Sequence, residues 1–155
     1  MKTYEYNIVA RLVHDGEPVP GNNSEQSVRY LMEHCYTREE MWREKCFALL
    51  LDSHNRILGH TLVSVGGTSA TTVDVKVVAK AALDCLAHAV ILSHNHPSGK
   101  SVPGKHDIKM TDRVKKALAC LDIRLLDHII VTEDEYYSFN DEKTYSIRKD
   151  NPANS

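Results

Sequence analysis

The chain has 155 residues, 42% of them apolar and 26% charged, which fits one globular domain whose core can stand without disulfide or metal staples. A formal charge of −2 gives no general pull toward phosphate backbones or anionic lipid, and no stretch approaches the roughly 20 apolar residues of a transmembrane helix. The N-terminus lacks the basic-then-apolar layout of a signal peptide, and Cys35, Cys46, Cys85 and Cys120 stand singly inside apolar segments, so buried free thiols in the cytoplasm are expected.

Tyr6–Val13 is β-rich and is broken by Asp15-Gly16 with Pro18, Pro20 and Gly21. Asn22-Asn23-Ser24 offers an N-cap, and Val28, Leu31, Met32 and Cys35 recur at helical spacing, so a helix of about three turns follows. After the charged segment Arg38–Lys45, the continuous apolar run Cys46–Leu51 predicts a central strand buried on both faces. Asp52–Asn55 turns the chain into a second strand, Ile57–Val65, as a hairpin. The loop Gly66-Gly67-Thr68-Ser69 leads to a helix over Val73–Leu86, with Val77, Val78, Ala81, Ala82 and Cys85 toward the core. Ala87–Leu92 is a further buried strand. Beyond a loop over 97–105, Ile108, Val114, Leu118 and Leu121 mark an amphipathic helix, and Leu125–Val131 and Tyr136–Phe139 are strands. Tyr136 and Tyr137 read as packing on an edge strand. Lys100, Lys105, Lys109, Arg113, Lys115 and Lys116 crowd one region, as a basic patch or as a solvated helix face. From Glu142 on the chain is polar, and its end is expected to fray. No repeat or linker divides it. The prediction is a single α/β (α+β) domain over 1–155, with a mixed central sheet flanked by helices.

The apolar strand at Leu92 runs into Ser93-His94-Asn95-His96-Pro97-Ser98-Gly99. Side chains at i and i+2 of a strand share a face, so His94 and His96 converge where the strand leaves the core. Pro97, with no N–H, ends the ladder there. Two imidazoles held side by side suit a metal. Asp107, eleven residues on and in the first turn of the next helix, is the best local third ligand, although the helix dipole alone also favours a carboxylate there. His106 is a weaker competitor. Two His, one carboxylate and an open position make a catalytic zinc pattern, and the same count fits non-haem Fe(II). Asp127-His128 is either a pair that orients a ligand or a buried polar pair that satisfies loop backbone, the second being favoured.

His94-Asn95-His96-Pro97-Ser98-Gly99, the spaced Asp107 and Leu125-Leu126-Asp127-His128-Ile129-Ile130 together resemble the JAMM (MPN-type) metalloprotease domain. The form is that of the bacterial RadC-like proteins, and it runs over about residues 30–140, most of the chain. The resemblance implies an architecture related to the cytidine deaminases and a zinc held by His94, His96 and Asp107. It also implies Glu44 as general base, since Glu44-Lys45-Cys46-Phe47-Ala48-Leu49-Leu50-Leu51-Asp52 matches the family's segment with an upstream glutamate. Without it, Glu44 would be one of several surface carboxylates beside Glu39 and Glu40. The reaction implied is hydrolysis of a peptide or isopeptide amide, so the partner implied is a protein or peptide substrate.

The family pattern places a serine three residues before the ligand aspartate, where its hydroxyl stabilises the oxyanion; this chain has Gly104 there. Ser98 and Ser101 are candidate substitutes. RadC-like proteins often carry an N-terminal helix-hairpin-helix module, for which residues 1–40 are too short, so a DNA-repair role has little support. A catalytically weak metal-binding scaffold, or a DNA-repair accessory, is the alternative to an enzyme. A zinc deaminase would show His-x-Glu and Pro-Cys-x-x-Cys, which are absent, and the charge balance argues against plain nucleic-acid binding.

Overall fold

A strand that is apolar on both sides has to lie between two layers, and Lys45–Leu51 (β1) does so, with every residue after Lys45 buried. The computed structural model describes residues 3, 5, 9–11, 15–66 and 72–147. Ile57–Val65 (β2) and Ala89–Asn95 (β3) both pair antiparallel with β1. Arg124–Val131 (β4) runs parallel to β3, and Glu135–Ser138 (β5) and Lys143–Ser146 (β6) follow antiparallel. The result is a mixed six-stranded sheet of order β2-β1-β3-β4-β5-β6.

Period-2 alternation sorts the strand residues between the layers. Phe47, Leu49 and Leu51, with Ala89, Ile91, Ile129 and Val131, pack on Val28 and Leu31 of helix α1 (Ser24–His34). Cys46, Ala48, Leu50, Val90 and Leu92 pack on Val78 and Ala82 of α2 (Val75–Asp84) and on Met110, Val114 and Leu118 of α3 (Lys105–Ala119). Each large aliphatic side chain so buried contributes about 1.5–3 kcal/mol. A parallel pair needs a crossover, and α3 is the crossover between β3 and β4. Its first turn therefore stands over the carboxyl end of β3. No helix among the described residues is long and apolar enough to cross a membrane.

The elements expected from Asn22 onward are present with adjusted edges. Asn23 caps α1 by accepting from the Gln26 N–H at 2.9 Å. The α2 helix is shorter than Val73–Leu86, and its inner stripe is Val78 and Ala82; Val77 and Cys85 are exposed. In α3, Met110 takes the inward place expected of Ile108, which is exposed, as is Leu121 beyond the helix end. The strand expected over Ala87–Leu92 starts later and continues to Asn95. Four buried thiols are not found: Cys35 and Cys46 are buried, whereas Cys85 and Cys120 are exposed just past the ends of α2 and α3. The polar stretch after Asp141 contains β6, held on β5 by main-chain pairing and by Tyr145 stacked on Tyr136 with ring centroids 5.1 Å apart. Tyr136 and Tyr137 thus lie on an interior strand. The strand expected over Tyr6–Val13 falls mostly outside the described residues, and Val9–Arg11 form none. Residues 67–69 of the glycine loop and the frayed end expected over 148–155 also lie outside them.

Gly21 shows where the backbone itself is packed. A Cβ there would lie 2.7 Å from Leu51 Cδ2 and 3.2 Å from the Asn55 carbonyl oxygen, whereas one on Gly59 would meet nothing within 4 Å. Gly21→Ala should therefore lower the unfolding free energy by about 1–3 kcal/mol. Gly59→Ala should change it by less than about 0.5 kcal/mol. Urea denaturation with an unchanged m-value is the check.

Candidate metal centre

The alternation that sends Val90 and Leu92 toward α2 and α3 sends His94 the same way, and His96 follows as β3 ends. The His96 N–H still donates to the Val131 carbonyl at 3.0 Å, so its position is held by β4 although the strand has stopped. Asp107 arrives from the first turn of α3, with its Oδ2 accepting from the Gly104 N–H at 2.7 Å. His94 Nε2 and His96 Nε2 are 2.9 Å apart, 3.1 Å from Asp107 Oδ1 and 3.5 Å from Asp107 Oδ2 respectively. These three side chains are the group among the described residues whose ligand atoms all lie within 4.8 Å of one another. His106, the weaker candidate, is exposed and is not part of it.

Two neutral imidazole nitrogens and a carboxylate are all electron-pair donors, and three of them converging under partial burial call for a cation. The donor set therefore fits a metal ion, and His94, His96 and Asp107 could hold one. Burial would raise the Asp107 carboxyl, but its contacts with His94, His96 and the Gly104 N–H outweigh that and hold it far below the ordinary carboxylate range. The same Asp107 contact raises His96, against the opposing effect of burial, with the charges of Asp107 and Glu44 adding to it.

Each imidazole has a partner on its far side. His96 Nδ1 lies 2.9 Å from the Lys100 carbonyl, and His94 Nδ1 lies 2.8 Å from His128 Nε2. His128 is fully buried, stacked on Phe139 with centroids 4.7 Å apart and planes at 7°, and burial pushes its pKa well below the usual histidine value. The pair Asp127-His128 divides between its two readings. Asp127 points away and accepts from its own neighbour's N–H, from the Asn140 N–H at 2.9 Å and from Ser138 Oγ at 2.6 Å, so it satisfies loop backbone. His128 instead backs His94, a member of the group that could hold an ion, contrary to the favoured expectation. Thr111, which links His128 to α3, carried no signal beyond lying four residues after Asp107.

Asn95, between the two histidines, faces the other way and ties down the segment before β1. Its Oδ1 accepts from the Lys45 N–H at 2.8 Å, and its Nδ2 donates to the Met41 and Arg43 carbonyls, both at 3.0 Å. Glu44 sits inside that clasp, half-buried, two residues before Cys46, the residue that pairs with His94, and its charge acts on His96, two residues after His94. Ser101 is no replacement for the missing hydroxyl: it is fully buried, and its N–H and Oγ both donate to Glu135 Oε1, at 2.9 and 2.7 Å.

Residues 21–144 match the family model for the RadC-like JAB domain. The chain belongs to that family. Related UPF0758 proteins include one from Porphyromonas gingivalis, 44% identical over 106 residues, which is 68% of this chain and 44% of the relative. Another, from Flavobacterium johnsoniae, is 42% identical over 103 residues, 66% of this chain and 45% of the relative. A third, from Aquifex aeolicus, is 38% identical over 100 residues, 64% and 43% respectively. The match thus spans less than half the length of these curated relatives.

The centre should take up about one divalent ion per chain, and His94→Ala, His96→Ala or Asp107→Ala should abolish this in elemental analysis. Protons compete for the same nitrogens, and a raised His96 holds its proton to higher pH than a free histidine does. Affinity should therefore fall as pH drops through the histidine range, by up to about tenfold per unit for each proton displaced. A chelator titration across that range is the check.

Proposed function

We propose that this RadC-like JAB domain is a zinc-dependent amidohydrolase that cleaves a peptide or isopeptide bond in a polypeptide substrate. The observation that carries this is a further carboxylate, Glu44, two residues before the Cys46 that pairs with His94, whose charge acts on His96 although it is outside the group that could hold the ion. Three protein donors with a position to spare are the pattern of a catalytic zinc site. Zinc in that position would act as a Lewis acid and lower the pKa of water from 15.7 to about 7. Glu44 would take the proton from the attacking water and hand it to the amine nitrogen as the C–N bond breaks. The Asn95 clasp would keep that carboxylate at a fixed distance from the histidines through both transfers. Trp42, 71% exposed two residues before Glu44, offers an apolar contact for a polypeptide chain.

Glu44→Gln should keep the metal and abolish hydrolysis, since the amide preserves shape and removes the basic oxygen. Loss of the metal from this variant would make Glu44 a ligand and end its assignment as base.

Gly104 tests whether the site turns over without the usual hydroxyl. Its φ of −86° and ψ of 172° are extended backbone that serine adopts, and a Cβ there would sit 3.4 Å from Asp107 Oδ2, an ordinary contact. Gly104→Ser should raise kcat on an amide substrate by roughly 10-fold, short of the 10²–10³ of a well-placed oxyanion donor. KM should change little, because the oxyanion exists only beyond the ground state. A folded, zinc-loaded serine variant as inactive as its parent, on a substrate that an active relative cleaves, would favour a binding scaffold over an enzyme.

A further inference from the structure

We propose that Thr111 and His128 are positioning residues that set the tautomer of His94, so that its Nε2 meets the metal as a bare lone pair. The inference rests on the triad being a metal centre and concerns two residues that lie outside it. Imidazole binds a metal only through a nitrogen that carries no proton, and which nitrogen that is depends on the hydrogen bond made by the other.

The chain of contacts starts in the first turns of α3. Thr111 Oγ1 lies 2.7 Å from the Asp107 carbonyl oxygen and 2.6 Å from His128 Nδ1. A carbonyl can only accept, so the single hydroxyl hydrogen of Thr111 goes to it. The Thr111 oxygen then meets His128 Nδ1 with a lone pair, and that nitrogen must carry the proton. With its one ring proton on Nδ1, the fully buried His128 is left with a bare Nε2, 2.8 Å from His94 Nδ1. His94 must donate there, which strips its own Nε2 of a proton on the side facing His96 and Asp107.

The reverse polarity would run from Thr111 to His128 to His94 and would place a proton on His94 Nε2. It would also set lone pairs of the Thr111 hydroxyl against the Asp107 carbonyl oxygen at 2.7 Å with no hydrogen between them. That contact is repulsive, and the first polarity avoids it; the bare His94 Nε2 that it leaves 2.9 Å from His96 Nε2 and 3.1 Å from Asp107 Oδ1 is then relieved by a cation among the three. His96 reaches the same state by a shorter route, because its Nδ1 faces only the Lys100 carbonyl and has to donate. The residue whose backbone carbonyl orders the longer chain is Asp107, which also contributes the carboxylate of the centre.

The test has two arms. Proton–nitrogen correlation spectra of the histidine rings in zinc-loaded protein should place the proton on Nδ1 in His94, His96 and His128. Chelator competition should show that Thr111→Val, matched in shape, binds zinc about 10–100-fold more weakly while Thr111→Ser does not. His128→Gln, whose amide can accept from His94 and donate to Thr111, should keep most of the affinity that His128→Phe loses. A Thr111→Val protein with wild-type affinity, or a wild-type His128 protonated on Nε2, would overturn the proposal. If Thr111→Val does not fold, the His128 pair and the wild-type spectra still decide. Wild-type protein that takes up no zinc would sink the metal reading by itself. The tautomer of His128 in that metal-free protein would still support the chain if the proton is on Nδ1 and overturn it if on Nε2.

Discussion

Strand β3 lies between two layers, with Val90, Leu92 and His94 turned toward α2 and α3 and with Ile91, Ser93 and Asn95 turned toward α1, and the pleat carries this alternation past the last apolar residue. That constraint places two imidazoles on the α3 side and one amide on the other. A slip of one residue would exchange them and leave both histidines against the segment before β1. The buried ladder on both flanks of β3, to β1 and to β4, is what forbids the slip. The candidate metal centre and the segment that carries Glu44 therefore lie on two sides of one strand end, and the sheet register sets their relative position.

The loops that complete the centre are pinned from outside it. Glu135, at the start of β5, accepts from Ser101 and so fixes the connection between His96 and Asp107. Asp127 accepts from Ser138 and the Asn140 N–H and fixes the segment that stacks Phe139 on His128. Both carboxylates use their charge on hydrogen bonds that order backbone, which is the support that a preorganised site requires. The hairpin of β4 and β5 is thus part of the site although it contributes no ligand.

Gly104 marks the point where this chain departs from the JAMM pattern without loss of local structure. Its N–H still donates to Asp107, its carbonyl still accepts from the Ile108 N–H at 3.2 Å, and its backbone is extended as an N-cap requires. What is missing is the hydroxyl alone. At this position the backbone alone holds Asp107 in place, through the Gly104 N–H.

Much of this was legible in the sequence, because local chemistry set it. The run Cys46–Leu51 read as a strand buried on both faces, the cluster Asn22-Asn23-Ser24 as the cap of the helix after it, and His94 and His96 as sharing a face at a strand end. Asp107, the third member of the group that could hold an ion, was legible from its place in the first turn of a helix. Periodicity misplaced Ile108, Leu121, Val77 and Cys85, since a helix of several turns has more apolar positions than a sheet can cover, and packing chooses among them. The strand β6 was hidden in a polar stretch because its stability comes from pairing with β5 and stacking on Tyr136, partners that no local pattern names. For the same reason, the division of labour between Asp127 and His128 was decided only when the sheet turned one toward Ser138 and the other toward His94. A sequence can specify which side chains alternate along a strand; what each meets on its own side depends on the layer that folding brings there.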